Sequence, residues 1–224
     1  MTSLLVRLSA MLSTAIALAS CSWTGGDIGD PLERKAHWFS FVEGSDIRNT
    51  CAPGTPDRYR LVYNAVYDEQ LRIYEVDALR RLLVVRAVDQ GNAGRLSSED
   101  PLAPWRAVEA KVQLDAAGYD RLEQAFAQGG MFAPPPVGLE LPSHSYFWTA
   151  AMCRNGRYAF TAWKYPSPAF AAMGFDAQLF ALDTTGVPVN QAKEIGFDPI
   201  WESKARQLQV PKFSLRVTEN GILH

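Results

Sequence analysis

A chain of 224 residues with 47% hydrophobic and 21% charged residues has the composition of a folded globular protein and lies far from that of a disordered one. Its formal net charge is -2, and no basic run is longer than the two residues of Arg80-Arg81, so the electrostatic footprint of a nucleic-acid binder is missing. Neither the ends nor the middle carries an internal repeat, and one domain is expected rather than two.

The chain opens with Met1 to Arg7, where Arg7 is the single charge, followed by a run of apolar or small residues from Leu8 to Ala19. That run is of signal-peptide length and falls short of the roughly 20 apolar residues needed to cross a bilayer. Residues 1-20 are therefore expected to be removed. The boundary Leu18-Ala19-Ser20-Cys21 resembles the lipobox of bacterial lipoproteins at each of its four positions. The resemblance covers only this precursor end, and residues 22-224 resemble no characterised family.

What the lipobox implies is a diacylglyceryl group on the Cys21 thiol, cleavage just before it and acylation of the new amino group. Two or three acyl chains together hold a protein far more firmly than one. Ser22 in place of an aspartate resembles the class sent on to the outer membrane, which implies a lipid-anchored protein on its periplasmic face. Without residues 1-20, which carry only Arg7, the net charge becomes 21 minus 24, or -3.

With Cys21 committed to lipid, Cys51 and Cys153 form an even remainder in an oxidising compartment and are expected to pair. The loop closed would span about 100 residues, worth roughly 4.7 kcal/mol in the chain-entropy model.

Residues 21-35 read as the lipidated N-terminus and a flexible tether, because Ser22 to about Leu32 is rich in Gly, Asp and Ser and lacks periodicity. The globular domain is expected over 36-224. Trp38, Phe39, Phe41 and Val42 form a short aromatic run, Ser45 caps one helical turn through Cys51, and Pro53-Gly54-Thr55-Pro56 breaks it.

From Tyr59 to Tyr67 the side chains alternate at a period of two, and Leu71-Val76 and Leu82-Val88 continue in that style, which predicts an antiparallel meander. Gln90 to Trp105 is a long loop. Val108 to Leu114 is a further strand leading into Asp115, the cap of a helix whose apolar face is Tyr119, Leu122, Ala125 and Phe126 and whose end is Gly129-Gly130.

After the stiff connector Pro134-Pro135-Pro136, the runs Ser145-Cys153 and Tyr158-Tyr165 flank Asn155-Gly156, the strongest short-range hairpin signal. Ser167-Pro168 starts a short helix, Asp176 caps another through Leu182, and Thr185-Gly186-Val187-Pro188 ends it. Trp201-Gln207 reads as helical, and Phe213, Leu215 and Val217 as a last strand. The fold class that follows is α+β, mainly an antiparallel sheet with a few short helices.

No catalytic, metal or nucleotide motif stands out, and no cofactor is expected. Of the histidines His37, His144 and His224, only His144 lies in a loop where active-site residues commonly sit, and its flanking Ser143 and Ser145 do not amount to a triad. Asp68-Glu69 and Glu99-Asp100 lack the pattern of a calcium loop.

The aromatic hairpin has the most content. With Asn155 and Gly156 at the turn, Trp148 faces Trp163 and Tyr146 faces Tyr165, all on one face, with Phe147, Tyr158, Phe160 and Cys153 on the other. Either the hairpin is central and packed on both sides, or the tryptophan face is partly open and stacks on a sugar or a partner. Arg58 and Arg60 share a strand face, with Arg72 close by, and suit either a solvated surface or an anionic group.

The functional expectation is a non-catalytic envelope lipoprotein that binds or helps assemble an envelope protein partner. The alternatives are an anchored hydrolase acting on glycan or peptide, and a small-ligand binder built on the aromatic face.

Overall fold

A computed structural model describes residues 22-91, 93-196 and 212-224. The signal segment, Cys21 and the helix expected over Trp201-Gln207 lie outside the described residues.

The first helix, α1 (Pro31–Glu43), starts where the Asp30 carboxylate accepts hydrogen bonds from the N–H groups of Leu32 and Glu33, with Pro31 at its first position. It ends at Gly44, whose φ of 73° is the left-handed conformation glycine adopts without penalty. Arg34, Trp38, Phe41 and Val42 are buried at helical spacing, so the expected short aromatic run is the inner face of a helix.

The tether expected over residues 21-35 is also corrected. Trp23 and Ile28 are both buried, the Trp23 N–H donates to Ser40 Oγ at 2.7 Å, and the Trp23 ring meets Phe41 edge-on at 5.3 Å. Two apolar side chains are enough to dock a glycine-rich stretch whose composition alone reads as linker.

α2 (Ser45–Thr50) follows, and its end is tied to the sheet by the Cys51–Cys153 disulfide, with Cα atoms 5.5 Å apart. The strands are β1 (Arg58–Ala65), β2 (Gln70–Asp77), β3 (Leu82–Asp89) and β4 (Val108–Gln113), then β6 (Tyr146–Arg154) and β7 (Arg157–Lys164). They form one six-stranded antiparallel sheet in the order β4-β3-β2-β1-β6-β7. The meander is as expected, and the hairpin is added on the free side of β1. β1 stops at Ala65 because Val66 turns to a φ of 62°.

Both faces of the sheet are covered. One core packs Tyr59, Leu61, Tyr63, Tyr74 and Trp148 against α3 (Ala116–Gln128), α4 (Pro168–Ala172) and α5 (Phe175–Leu182). α3 is capped by Asp115 and buries Leu122, Ala125 and Phe126, as its spacing predicts. α5 is preceded by Gly174 at φ 64°, which places Asp176 in its first turn instead of at its cap.

The opposite core packs Val62, Ile73, Phe147 and Phe160 against α1, α2 and a second sheet, β5 (Glu140–Pro142), β8 (Ser214–Thr218) and β9 (Gly221–Leu223), in the order β5-β8-β9. β5 and β9 are only three residues long, too short for an alternating pattern to declare itself. The architecture is α+β, a single body built on a mainly antiparallel sheet.

Candidate functional site

The arginines do not form an anion site. Arg60 on β1 is buried, and all five of its N–H donors are used: on Asp46 at 2.7 and 2.9 Å, on Glu75 at 3.0 and 2.9 Å, and on the Phe41 carbonyl at 3.0 Å. Its guanidinium also lies over the Phe41 ring, 3.8 Å from the centroid. Arg58 is half-exposed and reaches Asp46 at 3.5 Å.

From Glu75 the charges continue through Arg86 and Glu109 to Lys111 on the edge strand. Burial raises the Glu75 carboxyl toward the neutral form, but the charges of Arg60 and Arg86 outweigh it and hold the group below the usual carboxylate range.

Arg72 lies on the other face, because its partner in register is Tyr63 while Arg60 faces Glu75. It is fully buried and latches the segment after α5: its guanidinium pairs with Asp183, donates to the Val187 carbonyl, and reaches Gln70 Oε1 at 3.0 Å. Gln70 donates in turn to the Pro188 carbonyl at 2.9 Å and accepts from the Asn190 N–H at 3.0 Å. Neither the solvated surface nor the anionic-group reading holds for Arg60 and Arg72, because both are buried and paired with carboxylates of this chain, Asp46 and Glu75 for Arg60 and Asp183 for Arg72.

The hairpin keeps its register. Trp148 pairs with Trp163, and Asn155 and Gly156 have φ of 52° and 70° as the tight turn demands. The tryptophan face is not open. Trp148 is 0% exposed, stacks on Tyr63 at 4.8 Å and meets Phe175 edge-on at 5.6 Å, while Trp163 donates to the Gly129 carbonyl at 3.2 Å. Helices α3 to α5 occupy the position where a ligand would have stacked.

The rest of the expected contact residues do converge. His144, Tyr146 and Tyr165 line one depression of about 470 Å³, together with Lys164, Lys193 and Glu194. Tyr165 and the cis-linked Pro166 also line a second depression of about 670 Å³ with Phe170 and Asp176, so the two are neighbours along one groove.

The floor is aromatic: the rings of Tyr146 and Tyr165 are 6.2 Å apart, and those of Tyr165 and Phe170 are 5.4 Å apart. Burial, reinforced by the Glu69 carboxylate, pushes the Tyr146 hydroxyl up, so it stays protonated at neutral pH. His144 is exposed on the rim.

The two serines beside His144 are structural. Ser143 is buried and its Oγ accepts from the Phe213 N–H at 3.2 Å, and Ser145 Oγ donates to the Pro142 carbonyl at 2.8 Å. Lys164, Lys193 and Glu194 were not singled out by sequence, since single charges in a strand end and a loop carry no pattern. Among the described residues no group of three His, Cys, Asp or Glu side chains is placed to hold a metal ion, and no helix is long and apolar enough to cross a membrane. No protein-family model matches this chain, and no curated protein is significantly similar to it.

Proposed function

We propose that this chain is a lipoprotein held by Cys21 at the periplasmic face of the outer membrane, where its folded domain serves as a non-catalytic binding or assembly module of the cell envelope. The observation that carries the reading is the use of its cysteines. Cys51 and Cys153 are bonded to each other, a pairing that persists in oxidising compartments, while Cys21 stands in Leu18-Ala19-Ser20-Cys21 behind an uncharged apolar run.

The groove around Tyr165 is the contact surface in this reading. An aromatic floor with Lys164, Lys193 and Glu194 around it fits the aromatic centre and polar rim of a protein-binding patch. Metabolic labelling with a fatty-acid analogue tests the anchor: wild type is labelled and Cys21→Ser is not. A photo-crosslinking residue at Lys193 tests the groove in the lipidated protein. A discrete adduct with another envelope protein is expected, and its absence, with a probe at Leu79 as the reference, rejects the groove as contact surface.

A further inference from the structure

The start of the folded body lies so close to Cys21 that a lipid there would fix how the domain stands on the bilayer. This inference rests on the proposed anchor. Only Ser22 separates Cys21 from buried Trp23, and two residues of extended chain reach about 7 Å. Trp23 is packed on α1, against Ser40, Phe41 and His37, and Gly26 lies beside the Glu33 side chain.

α1 and its neighbourhood must therefore approach the headgroups. The loop after β3 belongs to that neighbourhood: Arg34 donates to the Trp105 carbonyl at 3.0 Å, Arg106 pairs with Asp30, and the Ala107 N–H donates to the Gly29 carbonyl at 2.9 Å.

These segments carry apolar side chains that the fold leaves outside. Leu32 on α1 is 64% exposed, and Leu96 and Trp105 on the loop are 63% and 47% exposed. Tryptophan and leucine on a surface held next to a bilayer suit the interfacial zone, where an amphipathic ring is at home. The local charges, Asp27, Asp30, Glu33, Glu99 and Asp100 against Arg34, Lys35, Arg95 and Arg106, do not form a basic patch. The contact is apolar rather than electrostatic.

We infer that the bilayer carrying the Cys21 lipid is the partner of the exposed side chains of Leu32, Leu96 and Trp105, so that the domain is docked on the membrane and does not swing above it. Leu79 supplies the contrast. It is 74% exposed in the β2–β3 turn, at the other end of β3 from the loop, and an eight-residue strand spans roughly 25 Å.

The test places single cysteines at Leu32, Leu96, Trp105 and Leu79 in the full lipidated protein, labels them with a fluorophore, and reconstitutes each into phosphatidylethanolamine/phosphatidylglycerol vesicles containing a nitroxide-labelled lipid. Quenching at least twofold stronger at 32, 96 and 105 than at 79 is expected, unchanged in 0.5 M salt. Ten Gly/Ser residues inserted between Ser22 and Trp23 are expected to reduce it at least twofold.

Equal quenching at all four sites in protein whose mass shows lipid on Cys21 overturns the docking and leaves the anchor standing. Quenching unchanged by the insertion overturns the claim that the short link sets the orientation. A mass without lipid on Cys21 removes the anchor and the inference together.

Discussion

Trp148 stands directly opposite Trp163 across the β6–β7 hairpin, yet of the two buried indole N–H groups only that of Trp163 has an acceptor among the described residues, the Gly129 carbonyl. Trp163→Phe loses volume and strands that carbonyl, whereas Trp148→Phe loses volume and also removes an unpaired donor. An unmet buried polar group costs about 1–3 kcal/mol. Trp163→Phe is expected to be the costlier change by at least about 1 kcal/mol in urea unfolding; the reverse order would refute the argument.

Gly156→Val should destabilise the domain for two reasons. A φ of 70° resists a β-branched residue, and a Cβ at this position would lie 2.6 Å from the Pro53 backbone. Together these predict a loss of about 2–4 kcal/mol. Asn155→Gly, which relieves a φ of 52°, is expected to be neutral or mildly stabilising; thermal melts of both variants check the pair.

Replacing Cys51 and Cys153 by alanine opens a loop with a sequence separation of 102. A loss of about 2–5 kcal/mol is expected, and wild type unfolded with reductant should match the double variant. If the two differ by more than their errors, reduction is acting elsewhere.

Acid sensitivity follows from Glu75. Its folded pKa is depressed, so the stability it contributes is complete above the unfolded value of about 4.3 and is lost as the pH falls through the lower folded value. Urea midpoints measured between pH 7 and pH 3 should fall more steeply for wild type than for Glu75→Gln. Parallel profiles would show that the pairing with Arg60 and Arg86 does not set the acid response.

The groove permits a separation of function from stability. His144 is exposed on its rim, so His144→Ala should shift the unfolding free energy by no more than about 0.5 kcal/mol while lowering the Lys193 crosslinking yield. Loss of stability with retained crosslinking would reverse the assignment.

The hairpin register was legible because a two-residue turn at Asn155-Gly156 leaves the facing pairs no freedom, and the β1–β4 meander because its apolar, β-rich runs are separated by short charged connections at Asp68-Glu69 and Asp77. α1 had a readable signal that composition concealed: Asp30-Pro31 is a cap followed by a first-turn proline, and Trp38, Phe41 and Val42 follow helical spacing. Arg60 could not be placed from sequence, since a charge on an alternating strand reads as solvent-facing until Asp46 and Glu75 are brought to it from α2 and β2. The groove was half legible: Tyr146 and Tyr165 followed from the register, but Lys193 and Glu194 arrive on a segment without periodicity, pinned there by Arg72 and Gln70.

The pairing of Leu61 with Ala150 sets an order of assembly on a chain that emerges from its N-terminus. β1 to β4 can close locally, but the free flank of β1 waits for β6, and until then a mostly apolar strand presents an unpaired row of N–H and C=O groups. Such an edge templates association with other copies, and long-range pairing is slow to relieve it. A nascent chain stalled before Arg154 is thus the species most prone to aggregate, and the interval before β6 arrives is when a holding chaperone has most to protect.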